Sequence, residues 1–266
     1  MSMCRTVGGF GRAVARYQPR SKENGMALLE GQSVIVTGAA RGMGEATARR
    51  AAAEGARVVL VDLDPSVADV AAEVGGTAVV GSVTDRSCAD RAVEAAEGVT
   101  GLVNVAGIFR RGDVVSATDD DWDQVLAVNL TAPRMWARAT IPAMIERGGA
   151  IVNVSSLAGT RARPDCVAYT TSKSGLLGLT RSIAVDYGPR GIRANSVSPG
   201  TIDTPMLRAT EAAGGATRAE HIARSYLSRL GTPEEIAGCC CFLLSPDAAF
   251  VNGADFMVDG GRTSGT

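Results

Sequence analysis

The chain predicts an α/β fold: a doubly wound, seven-stranded parallel sheet with helices on both faces. Three observations carry that expectation. From Gly31 onward, short β-branched runs alternate with Ala- and Arg-rich stretches of helical pattern. The first run ends in a glycine-rich turn, and the longer linkers, around 108–120 and 199–230, follow the fourth and sixth runs. Both linkers would then lie on the edge where open α/β sheets bind ligands.

The strand candidates are 33–37 (SVIVT), 57–61 (RVVLV), 77–81 (TAVVG), 101–105 (GLVNV), 150–155 (AIVNVS), 192–197 (IRANSV) and 254–258 (ADFMV). Most are near-continuous apolar runs, as expected of parallel strands covered on both faces. No internal repeat or low-complexity linker divides them, so 26–266 reads as a single domain. Residues 1–25 differ. They carry five basic residues against one acid and end in the turn-like Glu23-Asn24-Gly25. We expect a disordered N-terminal extension with weak order before Met26; an Arg-rich transit peptide, or an upstream start with Met26 as the natural beginning, are the alternatives.

Composition excludes several function classes. The 266 residues are 45% hydrophobic and 21% charged with a net charge of −1, which gives no electrostatic reason to expect nucleic acid or an anionic membrane as partner. No apolar run approaches the roughly 20 residues a membrane span needs. A cytoplasmic protein is expected. The six cysteines, Cys4, Cys88, Cys166 and Cys239 to Cys241, lack the paired spacing of a disulfide framework, and the cysteine run reads as part of a buried helix. No metal site is expected, because the single histidine, His221, lies in a polar stretch and the adjacent thiols would point in three directions.

The first strand ends in Thr37-Gly38-Ala39-Ala40-Arg41-Gly42-Met43-Gly44 and runs directly into a helical pattern. Glycines at 38, 42 and 44 permit a tight turn, a close approach of backbone to a pyrophosphate, and close packing of helix on strand. The helix N-terminus would then face the phosphates. With its strand and helix context, the turn reads as the dinucleotide site of a Rossmann fold; a nucleotide triphosphate loop is disfavoured because no Gly-Lys-Ser/Thr follows. Asp62 closes the second strand some 20 residues on, where a carboxylate accepts hydrogen bonds from ribose hydroxyls and repels a 2′-phosphate. That favours NAD over NADP, although Arg41 could hold the extra phosphate. A helix N-cap is the bland reading of Asp62, but Asp64 before Pro65 suits that role better.

The stretch from Ser156 to Lys173 gathers a hydroxyl, a phenol and an ammonium. Tyr169 and Lys173 are four apart, one helical turn on the same face. A fixed cation there favours the phenolate and lowers the tyrosine pKa from its usual value near 10. Of 27 lysines and arginines, only Lys22 and Lys173 are lysine. An ammonium on a flexible stem has donors to spare for both a ribose and a phenol.

Assembled, these residues resemble the short-chain dehydrogenase/reductase family over 26–262. The matching motifs are TGxxxGxG at 37–44, Asn104-Val105-Ala106-Gly107, Asn129 in VNL, Ser156, YxxxK at 169–173, PGTIDTP at 199–205 and VDGG at 258–261. The resemblance implies Tyr169 as general acid/base, Ser156 holding the reacting oxygen, Lys173 on the nicotinamide ribose, and Asn129 supporting a water that relays protons from Lys173. It places Gly38, Arg41, Gly42, Met43, Gly44, Asp62, Leu63, Ser82, Val83, Asn104, Ala106 and Gly107 along the adenosine and pyrophosphate side. Pro199, Gly200, Ile202 and Thr204 fall around the nicotinamide carboxamide. The chain departs from the family pattern at Ser82, where an Asp is frequent, and at Val105, where NNAG has its second Asn. A homotetramer is also implied.

Substrate is read from arginines. Arg110, Arg111, Arg161, Arg163 and Arg208 lie near the expected pocket, where guanidinium groups could clamp a carboxylate. The Gly214-Gly215 pair suggests a hinge for a closing lid. The leading expectation is NAD-dependent interconversion of a secondary alcohol and a ketone on a small hydroxy acid, sugar acid or sugar. The alternatives are an NADPH-dependent 3-oxoacyl thioester reductase and an inactive binding or scaffold protein on the same fold.

Overall fold

Seven short strands form one all-parallel sheet whose central strands alternate their side chains between two covered faces. In this computed structural model, which describes residues 27–265, the strands are β1 (Ser33–Thr37), β2 (Arg57–Asp62), β3 (Thr77–Val80), β4 (Gly101–Asn104), β5 (Gly149–Val154), β6 (Ile192–Pro199) and β7 (Asp255–Val258). Their order is β3-β2-β1-β4-β5-β6-β7. The strand order reverses between β1 and β4, where the carboxyl ends open the crevice that open α/β sheets use for ligands. Each predicted run is a strand, with boundaries moved by at most two residues. The expectations for residues 1–25 lie outside the described residues.

The helices are α1 (Gly42–Ala53), α2 (Val67–Val74), α3 (Arg86–Ala95), α4 (Asp119–Leu126), α5 (Ala132–Met144), α6 (Val167–Tyr187), α7 (Pro205–Ala212), α8 (Arg218–Ala223) and α9 (Pro233–Leu244). A π-helical segment, Ala127–Thr131, joins α4 to α5. Val34, Val36, Val58 and Leu60 face one side and pack with α1 and α9; Ile35, Val59 and Val61 face the other with α3, α5 and α6. The cysteine run belongs to the first core: Cys240 and Cys241 are fully buried on α9. Burial raises their thiols well above the usual range, Cys241 to about 12, which leaves them inert packing groups.

Two local readings need correction. Asp64 is not the N-cap of α2: the helix starts at Val67 after Ser66, and the Asp64 carboxylate accepts from the Ser66 backbone N–H at 3.0 Å inside the preceding turn. The Gly214-Gly215 pair is not a free hinge. Gly214, with φ of +78°, donates to the Glu211 carbonyl and Gly215 donates to the Thr210 carbonyl, the two bonds of a Schellman motif that stops α7.

Candidate active site

The glycine turn is set by sterics. A Cβ on Gly38 would stand 2.8 Å from the Ala106 backbone, and one on Gly44 would overlap the Gly38 carbonyl oxygen. Strand, turn and helix can therefore close on one another only with glycine at both places. Helix α1 starts at Gly42, and no side chain caps its N-terminus. The orphan N–H groups and the helix dipole of such a terminus suit a pyrophosphate, so the residues present fit a dinucleotide. Thr37 organises the facing turn, its hydroxyl oxygen accepting from the N–H groups of Val105 at 3.1 Å and Ala106 at 3.3 Å.

Asp62 sits at the end of β2 with one carboxylate oxygen accepting from Ala40 N–H at 2.9 Å and the other from Asp64 N–H at 3.0 Å. It thereby ties the glycine turn to β2 and retains further acceptor capacity. Arg41 lies 3.5 Å from Asp64, and both side chains are well exposed. Leu63, 70% exposed, presents an apolar surface beside Asp62. The Ser82 hydroxyl pairs with Thr84, and the Val83 carbonyl accepts from the Trp136 indole N–H at 2.9 Å. Asn104 turns inward: its amide donates to Asn153 at 2.8 Å, Asn153 donates to Thr180, and Ser196 donates to Thr180. This buried chain cross-links β4, β5, β6 and α6, so the Asn104 side chain braces the sheet edge.

Four residues, Asn129, Ser156, Tyr169 and Lys173, meet beyond that edge from three stretches of chain. Asn129 is fully buried in the π-helical segment, a distortion frequent at functional sites. Its amide exchanges two 2.9 Å hydrogen bonds with the Ile108 backbone and donates to Ser172. Gly107 separates Asn129 from Lys173, and its hypothetical Cβ would be 3.4 Å from the amide oxygen and 3.6 Å from Nζ. Lys173 is 4% exposed, and its Nζ donates to the Val154 carbonyl at 2.8 Å. An ammonium has three donors, and this is the single acceptor it finds among the described residues. Ser156 follows β5, its hydroxyl oxygen accepting from Ala158 N–H at 3.1 Å. Phe109 meets the Tyr169 ring edge-on, with centroids 5.4 Å apart.

The electrostatics depart from expectation. The tyrosine pKa is raised, not lowered: desolvation of the phenolate dominates, and hydrogen bonding to Ser156 recovers part of the shift. Lys173 Nζ lies 5.8 Å from the ring centroid, and its own burial draws its pKa down to about 8. At that distance the ammonium does not offset the desolvation of the phenolate.

Ser156 and Tyr169 open on a cleft of about 200 Å³ that also takes in Met43, Pro199, Gly200, Ile202 and Thr204. Its walls are pinned by two isolated bridges, Gly112 with Cys166 and Ile202 with Gly231. Of the five candidate arginines, Arg111 and Arg163 line it. The other three are engaged elsewhere. Arg110 pairs with Asp121 at 3.3 Å, Arg161 donates to the Thr263 carbonyl at 2.6 Å, and Arg208 lies 3.6 Å from Asp203. Phe109, Thr201 and His221 also line the cleft, although the sequence alone does not place them there. His221 is 5% exposed, despite its polar sequence neighbours. Being the chain's one histidine was its sole signal.

Comparisons with known proteins agree with this geometry. The model of the family described as enoyl-(acyl carrier protein) reductase matches residues 38–263. The chain is 39% identical over 251 residues to 2-(S)-hydroxypropyl-CoM dehydrogenase 3 of Xanthobacter autotrophicus, covering 89% of this chain and 98% of that protein. It is 37% identical over 245 residues to 3-alpha-(or 20-beta)-hydroxysteroid dehydrogenase of Mycobacterium tuberculosis, covering 89% and 91%. A crystal structure of a provisionally named 2-deoxy-d-gluconate 3-dehydrogenase from Agrobacterium tumefaciens, with bound NADP, superposes with a TM-score of 0.83 at 35% identity, covering 91% of this chain and 100% of that one.

Proposed function

The chain belongs to the short-chain dehydrogenase/reductase family and is an NAD(P)-dependent oxidoreductase acting on CH–OH groups; from that premise we propose that it uses NAD to interconvert a secondary alcohol and a ketone on a small hydroxy acid, sugar acid or sugar. The observation that carries this reading is the cleft shared by the Ser156 and Tyr169 hydroxyls, with Lys173 one turn behind Tyr169 on α6. A bound dinucleotide supplies the hydride acceptor. Ser156 holds the substrate oxygen by hydrogen bonding, and the Tyr169 oxygen takes the hydroxyl proton. Lys173 offers its remaining donors to the nicotinamide ribose, and Asn129 positions a water that returns the proton to solvent. Gly38, Gly42, Met43 and Gly44 cradle the pyrophosphate; Leu63, Ser82, Val83 and Asn104 to Gly107 border the adenosine; Pro199, Gly200, Ile202 and Thr204 border the carboxamide.

Support for NAD comes from the carboxylates at the end of β2. Asp62 would repel a 2′-phosphate, and the cation that could welcome one, Arg41, is already beside Asp64. The second reading, an NADPH-dependent 3-oxoacyl thioester reductase, draws on the matching family's description and on the NADP in the Agrobacterium structure. Initial rates with NAD and with NADP over a panel of hydroxy acids, sugars and cyclic alcohols separate the two: we expect NAD to be preferred by about tenfold or more. A preference for NADP together with turnover of a 3-oxoacyl thioester by NADPH would replace the leading reading by the second.

We further propose a homotetramer in the cytoplasm. Exposed apolar residues such as Phe250 and Val185 support the assembly, and five free cysteines among the described residues suit a reducing compartment.

A further inference from the structure

Phe109 lies between β4 and α4, in a stretch with neither helix nor strand from Val105 to Arg111. It is nevertheless fixed on both sides. One residue before it, the Ile108 backbone exchanges two 2.9 Å hydrogen bonds with the buried Asn129 amide. Three residues after it, Gly112 donates its N–H to the Asp165 carbonyl and accepts from Val167 N–H, both at 3.1 Å. The first anchor is the π-helical segment, and the second is the start of α6, two residues before Tyr169. Between the anchors, the Phe109 and Tyr169 ring centroids stand 5.4 Å apart with the planes at 77°, the perpendicular arrangement that aromatic quadrupoles favour. The loop is thus tied to α6 twice, by backbone at Gly112 and by a side chain at Phe109.

This contact restrains the motion that matters for chemistry. The phenol oxygen lies on the χ2 axis, so spinning the ring leaves it in place, whereas a swing about χ1 carries it away. A swing of about 10° displaces the oxygen by about 1 Å, a misplacement that can cost about a hundredfold in rate. The Phe109 ring is also a cover. Both rings border the cleft with Ser156, and apolar carbon stands beside the phenol where water would otherwise enter. Desolvation is the largest influence on Tyr169. The other groups bearing on it are the Ser156 hydroxyl, the Cys166 thiol, the Arg163 guanidinium and the Lys173 ammonium, while Arg111, Asp165 and His221 also line the cleft.

We propose that Phe109 is a positioning residue for proton transfer: its ring sets the tilt of the Tyr169 phenol and keeps water from that side, so that the base is both aimed and dry. The inference rests on the alcohol–ketone reading above and adds to it a residue that acts through Tyr169.

Phe109→Ala and Phe109→Leu test it, with the dinucleotide at saturation. In Phe109→Ala, kcat for alcohol oxidation should fall about thirtyfold while KM changes by less than about threefold. The acid limb of kcat/KM, which follows the base, should move down by about half a pH unit or more, because a phenolate returned to water forms more readily. Phe109→Leu keeps an apolar cover without the ring, so its limb should return to the wild-type position while kcat stays depressed. A merely structural role would lower activity and leave the limb in place. An unmoved limb in Phe109→Ala, a limb that Phe109→Leu fails to restore, or wild-type kcat in both variants overturns the proposal. A substrate-free readout separates this outcome from failure of the reaction reading. In protein labelled with 3-fluorotyrosine, the Tyr169 fluorine resonance is identified by its loss in Tyr169→Phe. It should shift in Phe109→Leu, as the neighbouring ring current disappears, and titrate at lower pH in Phe109→Ala. If no alcohol is turned over, those two changes retain the role of Phe109 and reject the alcohol–ketone reading; their absence rejects the role itself.

Discussion

Helix α6 and the segment from Thr204 to Arg229 border the same cleft and are held in opposite ways. Along α6 the buried positions Ala168, Ser172, Lys173, Leu176, Leu177, Thr180, Ile183 and Ala184 recur at three- and four-residue spacing, and Thr180 joins the polar chain that runs through β4, β5 and β6. In the second segment, α7 buries no residue and α8 buries His221 alone. It is held by caps: Thr204 on Leu207 N–H, the Thr217–Glu220 capping box, and the Schellman turn at Gly214. The base is closed by the Ile202–Gly231 bridge. Proton chemistry needs atoms fixed to a fraction of an ångström, and a packed helix provides that. Recognition needs entry and release, which suits an element whose local stability is low.

The comparison predicts that a change on α6 acts on rate. Tyr169→Phe removes the proton acceptor without altering packing volume, so kcat should fall by about a thousandfold or more while dinucleotide affinity, read by fluorescence titration, stays within a factor of two or so. Turnover comparable to wild type would reject the assigned acid/base.

Next in size is the cost of burying Lys173. Its native pKa of about 8 lies below the ordinary 10.5. Between those values the unfolded chain binds the proton that the native chain has lost, so stability rises with pH across this window, by at most about 3 kcal/mol. Below about pH 8 the buried charge is a standing cost. In the cofactor-free protein, urea midpoints measured from pH 7 to 10 should climb relative to those of Lys173→Met, which lacks the titrating group. Parallel pH profiles for the two proteins would show that the ammonium is better solvated than its 4% exposure indicates.

The smallest effect belongs to the capped segment. Gly214 adopts φ of +78° with open space around it, so Gly214→Ala meets no clash and bears only the left-handed backbone cost of about 1 kcal/mol. Because few buried contacts depend on α7, we expect KM to rise a few-fold with kcat and thermal midpoint nearly unchanged. A large loss of kcat or of thermal stability would mean that the segment is part of the rigid framework after all.

Much of this architecture was legible before any coordinates. The strands read from β-branched runs, because a strand covered on both faces has few polar positions to blur the pattern. The glycine turn was legible because backbone geometry at Gly38 and Gly44 tolerates no side chain. The helical spacing of Tyr169 and Lys173 is likewise local. Legibility fell with distance along the chain. Five arginines looked equivalent in sequence, and two line the cleft because Asp121, Asp203 and the Thr263 carbonyl claim the others. The contact of Arg262 with Thr201 was not legible at all, since the two are 61 residues apart.

Local chemistry, then, dictated the fold class, the glycine cradle and the Tyr–Lys pair, since each depends on the backbone freedom or periodicity of neighbouring residues. Folding decided the rest. It raised the tyrosine pKa where a neighbouring lysine suggested a fall, because desolvation depends on everything packed around a group and not on what stands four residues away. It gave the Asn104 side chain a bracing contact, since Asn153 comes alongside only when β4 and β5 pair. By the same convergence it brought His221 and Arg262, from separate stretches of chain, to the Thr201 hydroxyl.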